Sequence, residues 1–134
     1  MDGRGYELLA LITEEDILEI HRKTPLGKHR GTGIRNRGKL NQLVQELHEA
    51  AEKHRSVADI LAMIFDDIER DPQPFVDCNH RTAMLLGRFV AKQFGLNLKY
   101  TGPEGRKLRS MWEFMSRAQL KEWVSNHLVA FKRD

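Results

Sequence analysis

The sequence predicts an all-α fold of about six helices, and three observations support this prediction. Apolar residues recur at helical spacing along most of the 134-residue chain, whereas no stretch shows the sustained alternation of a strand. Thr13, Ser56 and Ser116 are residues typical of a helix N-cap, and each precedes an apolar run. Gly and Pro stand where the runs end. The length suits one domain over 1–134 with a buried core.

The first two predicted helices flank a basic, glycine-rich segment. Thr13, with Glu15 and Asp16 behind it, opens a helix over about 13–23. The second helix is predicted over about 39–54. Its apolar positions are Leu40, Leu43, Val44 and Leu47.

The third and fourth predicted helices surround the stretch of greatest chemical interest. The third begins at a capping box, Ser56 to Asp59, and must end by Asp71 because Pro72 follows. Its apolar face is Val57, Ile60, Leu61, Ile64, Phe65 and Ile68. The fourth spans Thr82 to Phe94, with Asn79 or Asp77 as its expected cap and Gly95 as its stop. A catalytic or binding loop could therefore lie between two central helices.

The remainder is predicted as an extended segment followed by two helices. Residues 97–105, NLKYTGPEG, could be extended, and a helix is expected across 104–115. Ser116 begins a capping box for the last helix. Its predicted apolar face is Leu120, Trp123, Val124, Leu128 and Phe131.

Composition narrows the classes of protein to consider. A hydrophobic fraction of 40% and a charged fraction of 31% fit a globular protein, and no apolar run approaches a membrane span. The first residues lack the pattern of a secretion signal, and the single cysteine excludes an internal disulfide. A cytoplasmic location without membrane contact is therefore expected. The six histidines do not have zinc-ligand spacing.

The positive charge is concentrated in one segment. Residues 22–39 hold seven Lys and Arg and no acid, which leaves −4 on the remainder against +3 overall. Such a segment indicates contact with phosphate, nucleic acid or an acidic protein, or else a solvated surface loop.

The stretch DPQPFVDCNHRTA, 71–83, places four chemically useful side chains at a helix start. The free N–H groups and the dipole of a helix N-terminus attract anions, and Arg81 adds a fork of donors for phosphate. Asp77 supplies the hard oxygen that Mg²⁺ prefers. The residues alone predict a magnesium–phosphate site, with an ordinary capped helix start as the alternative.

Residues Gln73 to Ala83 resemble the Fic/Doc family signature, HxFx[DE][GA]N[GK]R, and N-x-R-T-A is similar to the Doc (death-on-curing) branch. Gly33 to Leu40 resembles the segment before the second helix of Doc proteins. The likeness covers nearly the whole chain and implies a Fic/Doc-type bundle. Fic proteins have a second arginine where this chain has Met84, so the Doc branch is favoured.

The resemblance implies nucleotide chemistry with ATP and Mg²⁺. Fic members transfer AMP from ATP to a protein hydroxyl, and Doc members transfer the γ-phosphate to a threonine of elongation factor Tu. By similarity, Asp77 would hold magnesium and Arg81 would contact phosphate. Asn79 and the backbone from Cys78 to Arg81 would form the anion hole, and Phe75 would anchor the loop.

The chain departs from the signature at two positions. Gln73 replaces the histidine that activates the target hydroxyl, and losing a general base typically removes about two to four decades of rate. Gln73 could still orient a hydroxyl. His80 could serve as the base instead, or could be a phosphate contact or a plain surface residue. Cys78 replaces Gly or Ala, either as a small buried filler or as a thiol activated by the helix start.

The sequence therefore indicates a Doc-like, toxin-type transferase that is weakened or inactivated by Gln73. Its expected partners are an antitoxin-like inhibitor and a target protein, such as a translation factor, with a Thr, Ser or Tyr hydroxyl. One alternative is a catalytically inactive nucleotide- or protein-binding module of Fic fold. A weaker alternative is a basic helical nucleic-acid-binding protein, which is disfavoured because the basic residues lie in a loop rather than on a recognition helix.

Overall fold

The computed structural model describes residues 4–24 and 33–131, which form seven α-helices, a short 3-10 helix and a two-stranded antiparallel sheet. The prediction of an all-α bundle is confirmed. The elements in chain order are α1 (Arg4–Leu11), α2 (Glu14–Arg22), α3 (Arg37–Glu52), α4 (Val57–Glu69), α5 (Asn79–Gln93), β1 (Leu96–Leu98), α6 (Gly102–Met111), the 3-10 helix (Trp112–Phe114), α7 (Arg117–His127) and β2 (Leu128–Ala130).

Helix α4 is the centre of the bundle, since most of its residues are buried and it packs mainly against α5 and α7. Its apolar face is the one that the sequence predicts, and every residue of that face is buried. Gly87 lets α5 approach closely, because a Cβ there would lie 2.9 Å from Cε1 of Phe65. Helix α1 covers the other side of the core against α3 and α5.

The helix starts follow local capping chemistry. Thr13, Ser56 and Ser116 each accept a hydrogen bond from the amide three residues further on, which confirms these predicted caps. Asn36 and Thr101 cap α3 and α6 in the same way. The residue types at these positions therefore determine where five of the helices begin.

Helix α5 begins differently from the prediction. It starts at Asn79 rather than Thr82, and its N-cap is Cys78 in the left-handed region, at φ 58° and ψ 27°. No side chain caps this helix, so the expectation that Asn79 or Asp77 caps it is wrong. The backbone turn at Cys78 replaces the cap and frees the Asn79 side chain for the preceding loop.

The two ends of the described chain also differ from the prediction. Helix α1 was not predicted, and the last helix ends at His127. Leu128 and Phe131 therefore do not extend its apolar face; Leu128 begins β2, where it pairs with Leu98 of β1, and Phe131 follows that strand. Within 4–24 and 33–131, none of the helices has the length and apolar character needed to cross a bilayer.

Candidate functional site

The loop between α4 and α5 is held in shape by the side chain of Asn79. This side chain is buried, and its Oδ1 accepts a hydrogen bond from the Phe75 amide at 3.1 Å. Its Nδ2 donates to the Phe75 carbonyl at 2.9 Å and to Oε1 of Gln73 at 3.3 Å. Asn79 therefore closes the loop with three hydrogen bonds, two of which satisfy buried backbone groups.

Phe75 lies at the base of this loop. Its side chain is fully buried, and its ring stacks on the imidazole of His21 from α2, with centroids 4.0 Å apart. The backbone beside it pairs with the segment that leads into α3. The amides of Arg35 and Asn36 donate to the Pro74 carbonyl, at 2.7 Å and 3.1 Å. The loop is thus fixed from two sides.

Gln73 uses both ends of its side-chain amide within the fold. Its Oε1 accepts from Asn79, and its Nε2 donates to the carbonyl oxygen of Glu69 at 2.9 Å and lies 3.4 Å from that residue's carboxylate. The side chain therefore joins the end of α4 to the start of α5. The resemblance did not suggest this role for the residue at position 73.

The carboxylate of Glu69 lies between Gln73 and His80. One oxygen, Oε2, is 3.6 Å from Nδ1 of His80, and both atoms are buried and have no hydrogen-bond partner among the described residues. The His80 ring also packs edge-on against Trp112, with centroids 4.8 Å apart. Glu69 and Trp112 were not identified from the sequence, because their spacing only indicates the end of one helix and the core of another.

Asp77 lies on the other side of the loop, towards α2. Its carboxylate is about one-third exposed, with Oδ1 4.0 Å from Nε2 of His21, and its carbonyl accepts from the same nitrogen at 3.1 Å. The described ranges hold no group of three or more His, Cys, Asp or Glu that could hold a metal ion. A carboxylate alone still fits Mg²⁺, because that ion usually takes one or two protein oxygens together with substrate phosphates.

The start of α5 offers donors to an anion. The amides of Asn79, His80 and Arg81 belong to the first turn, where no carbonyl of the helix can accept from them. The half-buried Cys78 precedes them in the left-handed conformation, and Arg81 is exposed. The structure thus brings together the residues from 78 to 81, whereas Asp77 faces α2.

A cleft of about 340 Å³ opens beside Arg81 and His80, between α5 and α6. Its charged lining is entirely cationic and its other side chains include Tyr100. The arginines that line it are Arg81, Arg88, Arg106 and Arg109. Sequence reasoning missed this cleft because the two helices carrying these arginines are joined only by the tertiary fold.

The basic segment 22–39 presents less free charge than its sequence indicates. Arg22, Arg37 and Lys39 each lie within 4.0 Å of a carboxylate of the fold. Residues 25–32, with two further cations, lie outside the described residues. In the described part, much of the predicted basic surface is therefore paired within the fold.

A buried carboxylate lies at the junction of α3, α4 and α7. Burial, with a smaller contribution from the neighbouring Glu46 carboxylate, raises the pKa of Asp67 to about 7 against the lowering effects of Arg117 and Lys39. Its Oδ1 lies 3.2 Å from Nη2 of Arg117 and 3.9 Å from Nζ of Lys39. This cluster gives the fold a group that titrates near neutral pH.

Comparison of the chain with known proteins identifies no relative. No family model, no curated protein and no solved structure matches the chain. A function for this protein is therefore inferred from the geometry of the loop and from its resemblance to the Fic/Doc signature.

Proposed function

We propose that this protein binds Mg-ATP at the start of α5 and transfers a phosphoryl or AMP group to a protein hydroxyl, as a Doc-like, toxin-type enzyme of reduced activity. The observation that carries the proposal is the Asn79 clamp, which holds residues 73–75 against the start of α5. This arrangement leaves the first-turn amides and Arg81 available to phosphate oxygens. An antitoxin-like inhibitor and a cytoplasmic protein target belong to the same proposal.

Positioning and electrostatics would supply most of the catalysis, as in other phosphoryl transfers. The amides of residues 79–81 and the guanidinium of Arg81 would hold the phosphate chain through charge-assisted hydrogen bonds. Asp77 would hold Mg²⁺, which neutralises phosphate charge when it is bound. Phe75 would act indirectly, because its burial fixes the loop that carries Asp77 and Asn79.

The target hydroxyl must lose a proton as its oxygen bonds to phosphorus and the bond to the leaving nucleotide or pyrophosphate breaks. Gln73 cannot take this proton, and its amide is already engaged by Asn79 and Glu69. His80 carries an imidazole at the start of α5, with Glu69 beside its Nδ1. We assign His80 as the substitute proton acceptor, oriented by Glu69 as a carboxylate orients imidazole in other active sites.

A second candidate function is a nucleotide- or protein-binding module without catalysis. The position of Gln73 favours it, since a side chain with both ends hydrogen-bonded serves the structure of the loop. In this case the anion-binding start of α5 would remain and the transfer step would be absent.

The two candidates are separated by incubating the protein with a host lysate and ATP labelled at either the α- or the γ-phosphate. Transfer of the γ label to a protein identifies a kinase, and transfer of the α label identifies an AMP transferase. If Mg-ATP binds and neither label moves, the binding-module function is correct. If Mg-ATP does not bind, the transferase and the nucleotide-binding module are both wrong, and only a protein-binding module remains.

A further inference from the structure

Four arginines converge on the cleft between α5 and α6, and none of them has a carboxylate partner among the described residues. Four other arginines of those residues are paired with carboxylates, namely Arg22, Arg37, Arg70 and Arg117, whereas Arg35 and Arg55 stand unpaired but apart from one another. The cleft residues Arg81, Arg88, Arg106 and Arg109 form no such pair there. Because clustered cations repel one another, an unneutralised group of four favours the binding of an anion.

The separation of these arginines suits an anion with several linked negative groups better than an anion with one group. Arg81 and Arg88 lie on the same face of α5, about 10 Å apart along the helix axis. Arg106 and Arg109 are one turn apart on α6, opposite them, so that both walls are cationic. A ligand with two or three linked negative groups could therefore contact both helices at once.

The chemistry of the lining favours phosphate. All four cations are arginines, whose planar forks bind phosphate oxygens through two parallel hydrogen bonds. Arg88 is already positioned, because its guanidinium carbon lies 4.9 Å from the centre of the Tyr100 ring. The Arg106 guanidinium lies beside Gly102, where a Cβ would come within 3.2 Å of Nη1.

We propose that this cleft binds a chain of linked phosphate groups, either the polyphosphate of a nucleotide or neighbouring phosphates of a single-stranded nucleic acid. Binding requires neither Mg²⁺ nor a transfer reaction. Arg81 and His80 belong to both this cleft and the proposed catalytic loop, but α6 takes no part in the signature. A test placed on α6 therefore separates this proposal from the proposed function.

The test is calorimetric titration of the full chain with inorganic tripolyphosphate, without magnesium and at two salt concentrations. Replacing Arg106 and Arg109 by Gln should weaken binding at least about tenfold, which corresponds to about 1.4 kcal/mol. The matched control replaces Lys107 and Arg55 by Gln. It removes the same charge, and Lys107 lies on α6 facing a different pocket, so binding should change less than about twofold.

The remaining arms identify the source of the phosphates. If ATP binds as tightly as tripolyphosphate in the absence of magnesium, the ligand is a nucleotide. If a 12-residue oligothymidylate binds more tightly than both, the ligand is a nucleic acid. Either result supports the proposal if the variant with Arg106 and Arg109 replaced no longer binds that ligand tightly. The proposal is overturned if tripolyphosphate does not bind, if both double variants lose affinity equally, or if hexaglutamate binds as tightly. If the full chain binds tripolyphosphate but transfers no label from ATP, only the transferase function is contradicted.

Discussion

The side-chain oxygen of Gln73 lies 3.3 Å from the side-chain nitrogen of Asn79, so two residues six apart in sequence meet across the loop that joins α4 to α5. The Asn79 side chain also accepts a hydrogen bond from the amide of Phe75 and donates one to the carbonyl of Phe75. Gln73 is consequently part of the framework of the loop.

Replacing Asn79 by Ala should destabilise the fold by about 2–4 kcal/mol, because the amide and the carbonyl of Phe75 would stay buried without partners. The free energy of unfolding from urea titration measures this effect. The control is Asn41→Ala, which removes an exposed side chain and should cost less than about 0.5 kcal/mol. Equal losses for the two variants would contradict the role of Asn79 as a clamp.

Replacing Gln73 by His should raise label transfer from ATP by at least about tenfold, since a neutral amide cannot take a proton and an imidazole can. The assay is the labelled-ATP incubation described above, with Gln73→Asn as the control that keeps an amide. Expression of the variant should also slow host growth more than expression of the unsubstituted chain does. A complete absence of transfer by the Gln73→His variant, while Mg-ATP still binds to it, would favour the binding-module function.

Replacing Asp77 by Ala should weaken the binding of ATP in the presence of magnesium and leave binding in its absence nearly unchanged, because the carboxylate would hold the metal rather than the nucleotide. Calorimetric titration with and without magnesium distinguishes the two effects. A variant that binds Mg-ATP as tightly as the natural protein would remove Asp77 from the site.

Cys78 has a left-handed backbone, which costs a residue with a Cβ about 1–2 kcal/mol. Cys78→Gly should therefore leave the free energy of unfolding unchanged or raise it by up to about 1 kcal/mol. Cys78→Val should lower it by a similar amount, because β-branched residues avoid this conformation. The control Lys92→Gly, in the last turn of α5, should lower it by up to about 1 kcal/mol, because glycine is a poor helix former. A destabilising Cys78→Gly would contradict the assigned conformation.

The stability of the fold should depend on pH through Asp67. Its pKa is about 7 in the folded protein, above the value of an unfolded aspartate, so the folded state holds the proton more tightly. The free energy of unfolding should therefore fall as pH rises from about 4 to about 7, with a slope of up to about 1.4 kcal/mol per unit, and level off above.

Replacing Asp67 by Asn should remove most of this slope, which urea titrations at several pH values would measure. Asp59→Asn is the control, because hydrogen bonding to Lys121 lowers the pKa of Asp59 and keeps its carboxylate ionised in this range. An unchanged slope in the Asp67 variant would show that another group carries the pH dependence.

The helices that could be predicted are those whose local sequence carries both a cap and an apolar stripe. Helix α4 has both, and its predicted face is buried throughout. Helix α1 carries a poor helix former, Gly5, close to its described start. It is held by tertiary contact, since a Cβ on Gly5 would lie 2.6 Å from the Phe94 ring. Such a helix cannot be recognised from its own residues.

In the candidate site too, some residues could be predicted from local sequence and others are brought together only by the tertiary fold. The residues from Gln73 to Arg81 could be grouped from one continuous stretch of sequence. Glu69 and the four arginines of the α5–α6 cleft could not, because their proximity depends on how α4, α5 and α6 cross. The basic segment 22–39 indicated an exposed charge, but carboxylates of α2 and α4 neutralise part of it.

The pairing of Pro74 and Val76 with the segment before α3 couples two regions that are 40 residues apart in sequence. The Pro74 carbonyl accepts from Arg35 and Asn36, and the Val76 amide donates to Gly33. These amides should therefore exchange their hydrogens with solvent as one cooperative group. A ligand that immobilises the α4–α5 loop would slow that exchange at the entrance to α3 without touching it. An inhibitor that bound residues 33–36 and broke their hydrogen bonds with Pro74 and Val76 would increase the mobility of the α4–α5 loop without contacting that loop.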